Sequence, residues 1–550
     1  VSEARIATRA SGLLREFNEA GVLAPADVHV ARRLAALVPE TDESVALAVA
    51  LAVRAPRIGH VYVDLATIRD TATVDTDEPV DVSALPWPDA DEWIARVAGS
   101  PLLAGPLQLE GSALYLDRYW REEQQVAADL RVLRDAPPVA VDEALLAARL
   151  AGFDDAGQRL AADTAARRRF AVVAGGPGTG KTTTVARIVA LLLEQQPGAL
   201  IGLAAPTAVA AARLTDAMRA AGIEDVEART LHRLLGWRPD THSRFRHDRG
   251  NRLPHDVVIV DETSMVGLWQ MARLVEAVRP GARLILVGDP GQLTSIEAGA
   301  VLGDIAAAGG DSIVVLDEVY RYHEHIGRVA EAIHRGDADA TVAALGAVTW
   351  ITDDDIDVVR ERAVATARAV TAAAEAGDGT GAIAALGSFR LLCAHRRGPY
   401  GVSAWTAQIE DWTGAGGAEW YVGRPLLVTA NDYGLQLFNG DTGVVIAAEN
   451  GLMAAFERTA VSPTRLAAID TVYAMTVHKA QGSQFDTAAV VLPEPTSRIL
   501  TRELLYTAIT RARQELIVVG SEEAIRAAVA RPVARASGLR RLLTAGTTGP

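Results

Sequence analysis

Lysine is almost missing from this 550-residue chain: of its 54 basic residues only Lys181 and Lys479 are lysines, and the other 52 are arginines. With 69 acidic residues the formal charge is −15. That balance argues against coating nucleic acid by bulk charge and excludes a lysine-rich tail, but it leaves room for a local basic groove. Cysteine is limited to Cys393, which excludes an internal disulfide and a cysteine-rich zinc site. A reducing cytoplasm is the expected compartment. Long apolar runs are missing too. The N-terminal stretch carries Glu3, Arg5, Arg9 and Arg15, and the early apolar run 45–53 is about half of what a membrane span needs. A soluble, unexported protein with no membrane contact is expected. Aromatics are 5% of the chain against 49% hydrophobic residues, so alanine-rich helices and aliphatic strands must build the core.

The length implies two to four domains of about 100–200 residues each. Residues 1–110 read as helices with alanine and leucine at i, i+3 and i+4 spacing, broken by the turn-rich stretch 71–88. Another helical segment, 116–148, follows. From Ala171 short aliphatic runs alternate with helices, at 171–174, 200–204, 257–260, 283–287 and 313–316. Strands buried on both faces and alternating with helices predict a doubly wound parallel α/β sheet. After a low-complexity stretch at 371–387 comes a second series, at 390–394, 426–429, 488–492 and 515–519. The expected division is a helical N-terminal domain (1–110), a first α/β module (111–360) and a second (361–550). Turn signals at 431–434 and 439–443 punctuate short β-like runs, which predicts a small β insertion at about 423–472.

The chemistry-bearing residues sit at strand ends. Gly175, Gly176, Pro177, Gly178, Thr179, Gly180, Lys181 and Thr182 fit the P-loop pattern between a strand and a helix. The glycines let backbone N–H groups turn onto phosphates, Lys181 reaches the β/γ-phosphates of ATP, and Thr182 offers its hydroxyl to Mg²⁺. In a chain that uses arginine nearly everywhere, a compact ammonium is kept where a planar guanidinium fits poorly. The strand 257–260 ends in Asp261 and Glu262: Asp261 is expected in the Mg²⁺ shell and Glu262 to polarise the attacking water. A third strand runs into Gly288-Asp289-Pro290-Gly291-Gln292, placing an amide where it can sense a γ-phosphate.

Read together with Tyr473-Ala474-Met475-Thr476-Val477-His478-Lys479-Ala480-Gln481-Gly482 and Leu505-Tyr506-Thr507-Ala508-Ile509-Thr510-Arg511-Ala512-Arg513, these segments resemble the ordered motifs of superfamily 1 helicases, nearest to the RecD family, the alpha subunits of exodeoxyribonuclease V. Residues 59–65 and 114–120 are similar to that family's N-terminal domain, which docks on a RecC subunit. The resemblance implies two RecA-like modules and an SH3-like β insert. It implies that Gln158 reads the adenine edge, completing a nucleotide-binding set that runs through the P-loop to Thr183. Gln292 couples the γ-phosphate to the cleft between modules, and Arg321 and Arg511 reach it when the cleft closes. Arg513 is expected to be structural. Pro206, Thr207, Thr476 and His478 are implied to hold the backbone of single-stranded DNA, and His232, in the segment 230–235, is either on the DNA side or a solvated residue of an amphipathic helix. The implied activity is ATP-dependent 5′-to-3′ unwinding or translocation from duplex DNA ends, in double-strand break repair and recombination, with RecB-like and RecC-like partners. Two alternatives remain: a stand-alone helicase, and a subunit that binds ATP without moving DNA.

The chain departs from the family pattern twice. Ala208 and Val209 follow Thr207 where Gly-Lys is common, so a phosphate contact is lost or moved to Arg213, and Gln484 stands in place of an acidic residue. Elsewhere, His323 and His325 suit solvent better than a metal, Arg167-Arg168-Arg169 is either a basic patch or a surface cap, and Ser264 and Cys393 have no base partner in the sequence. With both lysines absorbed by helicase motifs, none is left for a nuclease of the Asp/Glu-x-Lys type.

Overall fold

The computed structural model describes residues 6–8, 10–72, 74, 81–238, 245–295, 297–318, 324–352, 356–415, 418–432, 434–449 and 451–545. The N-terminal unit is built on the helices Gly12–Glu19, Pro25–Ala35 and Glu43–Arg57. Their starts follow from local chemistry: Pro25 opens one helix, and the Asp42 carboxylate accepts the Ser44 N–H at 2.7 Å to cap the next. The buried indole of Trp93 donates to the Ser44 carbonyl at 2.7 Å and locks a later helix onto them. Helices make up most of this unit, as expected, and a small sheet joins them. Tyr62–Asp64, Ala113–Leu116 and Leu107–Glu110 form a three-stranded antiparallel sheet with Ala113–Leu116 in the middle. That strand lies past residue 110, so the unit extends to the start of the helix Asp117–Arg134.

The first module is a six-stranded parallel sheet in the order Ala228–Thr230, Ile201–Ala205, Val257–Val260, Arg283–Gly288, Phe170–Gly175, Ile313–Leu316. Its three central strands are buried throughout, which is why they read as unbroken aliphatic runs. The second module is a five-stranded parallel sheet, Thr349–Ile351, Ala512–Val519, Phe485–Val491, Phe389–Cys393, Ala474–Thr476. Because Thr349–Ile351 is its edge strand, and the helices Glu324–Arg335 and Ala338–Leu345 pack into its core, the second module begins well before 361. The run 426–429 is also reassigned. Pro425–Val428 belongs to a separate antiparallel sheet with Thr442–Ala448, Gly451–Phe456, Ala460–Val461 and Ile469–Thr471. Four buried aliphatic residues look alike in either kind of sheet. This sheet, from Pro425 to Thr471, is the small β insertion of the second module.

After the helix Glu522–Ala530 the chain leaves the second module and straps back over the first, so the expected module 361–550 does not keep its own C-terminus. The N–H of Val61 donates to Ala536 O at 2.7 Å, and the N–H of Ala536 donates to His60 Nδ1 at 2.9 Å. Burial, with the charges of Arg535 and Arg54, holds His60 down to about 4, so the ring is the neutral acceptor that this bond needs. The helix Leu539–Thr544 then buries Leu539 and Leu543 against Val126, Leu130 and Leu302 in the first module's core.

The strap closes on Glu123, whose carboxylate accepts the Ser537 hydroxyl at 2.8 Å and the Gly538 N–H at 2.9 Å. Burial nevertheless pushes this carboxyl up to about 7. A folded-state pKa above the ordinary one stabilises the docked strap at low pH, and that contribution is lost as pH rises through about 7. Amides of 536–545 are therefore expected to be better protected from hydrogen exchange at about pH 5.5 than at about pH 8, after correction for intrinsic rates. Glu123→Gln should flatten most of that difference.

Candidate active site

The loop between Phe170–Gly175 and the helix Lys181–Gln195 turns twice through left-handed backbone, at Gly178 (φ 84°) and Gly180 (φ 79°), a conformation that side chains disfavour. The turns aim the loop at the helix N-terminus. The Lys181 ammonium lies across the loop and donates to Gly175 O at 2.7 Å and Gly176 O at 2.8 Å. Thr179 braces the loop from inside, its hydroxyl donating to Gly176 O at 2.8 Å. Gln158 is buried beside it, with Nε2 3.5 Å from Thr179 O.

Asp261 and Glu262 leave the end of Val257–Val260 facing this loop. The buried Asp261 carboxylate accepts the Glu262 N–H at 2.8 Å. Glu262 has φ 52°, a left-handed conformation unusual for a residue with a side chain. Burial, and then the charge of Glu262, push the Asp261 carboxyl well above its ordinary range, while Lys181 pulls the other way. One ammonium is too little charge for two carboxylates here. The donor set, the Thr182 hydroxyl and the Asp261 carboxylate, is hard oxygen, so the residues fit a divalent ion held in part by phosphates.

From the second module comes Arg511, 3% exposed, on the loop that ends the helix Arg502–Ile509. Its guanidinium donates to Thr507 O at 2.9 Å, to Ser483 O at 3.1 Å and to Thr510 Oγ1 at 3.3 Å. Gln292 enters from the first module, its amide donating to Asp289 Oδ2 at 3.1 Å. One cavity of about 730 Å³ gathers these groups: Lys181, Thr182, Asp261, Glu262 and Gln292 line it from one side, Arg511 from the other, with the loop residues Pro177, Gly178 and Gly180. Thr183 is exposed and does not line it. Arg321 and His323 lie outside the described residues.

Arg513, Gln514 and Arg213 also line the cavity, and sequence reasoning gave none of them that place. Arg513 stands two positions past Arg511 and is half exposed, 3.8 Å from Asp486 and 3.5 Å from Gln484. The Arg213 guanidinium donates to Gly482 O, a bond between the modules, so it does not simply replace the missing phosphate contact. Val209 is turned toward Gly440 of the β insertion.

The expected strand-contacting residues gather at the C-terminal ends of both parallel sheets, where such sheets collect ligands. Thr207 follows Pro206 and caps the helix Ala208–Ala220 by accepting the Ala210 N–H at 3.2 Å. Thr476 Oγ1 accepts the Lys479 N–H at 3.3 Å. His478 is partly buried, and burial holds its pKa down. His232 is placed otherwise. Its ring packs 5.5 Å from Trp237 and 5.8 Å from Phe245, with Nδ1 3.3 Å from Gln270 Nε2. The ring is partly buried in this aromatic cluster, so it is not simply a solvated helix residue. The adjacent Arg233 lies over the Phe438 ring at 4.4 Å, in a second cavity with Arg219, Arg229 and Arg458.

Three family profiles match the chain: an AAA domain over residues 154–355, a UvrD-like helicase C-terminal domain over 471–519, and the N-terminal domain of RecBCD enzyme subunit RecD over 19–115. The chain is 51% identical to the RecBCD enzyme subunit RecD of Mycolicibacterium smegmatis, over 96% of this chain and 99% of that protein. It is 35% identical to the ATP-dependent RecD2 DNA helicase of Deinococcus radiodurans, over 78% of this chain and 59% of that protein. A solved Bacteroides Pif1 helicase is 18% identical, at TM-score 0.39 over 64% of this chain and 88% of that one.

His232 packs among rings, whereas Arg233 faces a cavity. Arg233→Ala is expected to weaken single-strand affinity and lower the slope of log K against log salt by about one. His232→Phe should leave that slope unchanged; fluorescence anisotropy at several salt concentrations checks both.

Proposed function

The chain belongs to the RecD family, and from that membership we propose that it is the ATP-driven helicase subunit of a RecBCD-type complex, moving 5′-to-3′ along single-stranded DNA from duplex ends during break repair and recombination. The observation that carries the reading is the single cavity that Lys181, Glu262 and Gln292 line from one module and Arg511 from the other. A site split between two bodies turns a chemical event into a change of their separation.

The glycine-rich 176–180 loop and the N-terminus of the helix that follows it would hold the nucleotide phosphates. Lys181 exchanges the carbonyls of Gly175 and Gly176 for phosphate oxygens. Thr182 and Asp261 would hold Mg²⁺ together with the phosphates, and the ion would supply neutralising charge. Glu262 accepts the proton of the attacking water or orients it. Gln292 reads whether a γ-phosphate is present, and Arg511 adds positive charge from across the cleft, an effect of about 10³–10⁵ in related NTPases. Nucleotide selects the closed cleft and product release resets it. Thr207 on one module and Thr476 and His478 on the other grip the strand alternately as the cleft works.

The match of residues 19–115 to a RecD N-terminal domain supports RecC-like and RecB-like partners over the stand-alone reading. The acidic pair, Gln292 and Arg511 support a motor over an ATP-binding subunit that does not turn over. Polarity rests on the likeness of the β insertion to the insert of 5′-to-3′ helicases.

Glu262→Gln is expected to lower DNA-stimulated ATP hydrolysis by about 10²–10⁴-fold while nucleotide still binds. Unwinding of 5′-tailed and 3′-tailed duplexes by the full chain, with and without its partners, tests the rest. Preference for 3′ tails would overturn the polarity, unwinding unaffected by Lys181→Gln would overturn the motor, and equal processivity with and without partners would favour a stand-alone enzyme.

A further inference from the structure

The loop that follows Gln292 is held by the opposite module. The Leu293 N–H donates to Thr507 Oγ1 at 2.8 Å, and the Gln481 amide donates to Leu293 O at 2.8 Å. Both polar groups of one residue's backbone are thus taken by side chains from two separate segments of the second module. The Leu293 side chain is buried within that module's core, beside Leu504 and Leu505. Thr507 is fully buried and Gln481 is 8% exposed, so water cannot stand in for either partner.

Each of the two holding residues leads on to another working group. Thr507 O accepts the Nε–H of Arg511 at 2.9 Å, so one residue holds the neighbour of Gln292 with its side chain and the arginine with its carbonyl. Tyr506, the preceding residue, brings its hydroxyl over the P-loop, where a Cβ on Gly176 would lie 2.9 Å from it. Gln481 closes the turn that begins at Thr476: the N–H of Ala480 donates to Thr476 O at 3.1 Å and that of Gln481 to His478 O at 3.3 Å. The next residue, Gly482, receives the Arg213 guanidinium from the first module.

We propose that Thr507 and Gln481 are positioning residues that clamp the Leu293 backbone across the cleft, so that Gln292, Arg511 and the Thr476–His478 turn move as one unit. The clamp rests on the motor reading and supplies its wiring: Gln481 links Gln292 to the strand-holding turn, and Thr507 links it to the arginine. Neither side chain touches nucleotide or DNA. Removing either bond is expected to loosen the correspondence between nucleotide state and strand grip rather than to abolish binding of either ligand.

The test uses the full chain and its Thr507→Val, Thr507→Ser and Gln481→Met variants. ATP hydrolysis is measured without DNA and across a titration of oligo(dT), and oligo(dT) affinity is measured with and without a non-hydrolysable ATP analogue. Thr507→Val and Gln481→Met are expected to lower the ratio of stimulated to unstimulated kcat, and the nucleotide-dependent change in DNA affinity, by about ten-fold each. Thr507→Ser, which keeps the hydroxyl, should stay near the parent. Rates that fall in proportion with and without DNA would overturn the clamp and leave only packing, as would a Thr507→Ser variant as impaired as Thr507→Val. Should Thr507→Val fail to fold, Gln481→Met carries the same measurement on the other bond. A parent that oligo(dT) does not stimulate overturns the motor reading and the clamp with it; a stimulated parent matched by both variants overturns the clamp alone.

Discussion

The organising constraint is the charge balance at the P-loop. Two carboxylates, Asp261 and Glu262, face a loop served by one ammonium, and that ammonium is bonded to carbonyls of its own loop. Counting Arg213 and Asp216, which line the same cavity, the first module presents three carboxylates to two cations. A polyphosphate with its cation brings charge of both signs to the place where each is short, and further positive charge stands across the gap on Arg511 and Arg513. In the proposed motor, electrostatics would therefore favour approach of the modules when nucleotide binds, most strongly in a cavity screened from water. Much of the rest of the structure ties the two modules to each other and to the N-terminal unit.

Register is kept on both sides of one short loop. Leu293 is held by the second module, while two and four residues on, Ser295 O and Glu297 O accept the guanidinium of Arg535 at 2.9 and 3.0 Å. Arg535 also donates to Gly59 O at 2.9 Å, so the strap ties the N-terminal unit to the loop that carries Gln292. Gly59 O in turn accepts the Gly299 N–H at 3.0 Å. A second module free at its C-terminus could drift from the first. This one is anchored beside Gln292 and where Leu539 and Leu543 enter the first module's core.

What the sequence made legible follows from how local each requirement is. A phosphate loop needs glycines, an ammonium and a hydroxyl within eight positions, and buried parallel strands need aliphatic runs, so Gly175 to Thr182, Asp261 and the central strands could be read directly. The β insertion was legible from its turn residues. Non-local requirements were not. That Thr349–Ile351 belongs to the second sheet depends on pairing with Ala512–Val519, far along the chain, and three residues carry no signal of that. The strap has no motif either; its meaning lies in which carbonyls Arg535 meets. The setting of His232 was not legible because a helix pattern reports which face is apolar, not that Trp237 and Phe245 gather beside it and Trp269 behind them.

The scarcity of lysine takes on a different sense once the contacts are known. Lys181 occupies a cradle of two carbonyls, 2.7 and 2.8 Å away, suited to a compact charge with donors in several directions. Lys479 does something else: it is exposed and pairs at 3.2 Å with Asp470, on the last strand of the β insertion. An exposed pair of this kind contributes little to stability. Its place is informative for another reason, since it joins the Thr476–His478 turn to the insertion. The arginines divide differently. Arg213, Arg511 and Arg535 spend their forked donors on backbone carbonyls, Arg511 and Arg535 on more than one at once, tying segments together. Arg219, Arg229, Arg233 and Arg458 instead line the cavity beside Phe438. A net charge of −15 is thus compatible with a local cluster of arginines, and on the proposed motor reading such a cluster, interleaved with Asp216, Glu227 and Glu457, would hold a strand weakly enough to release it.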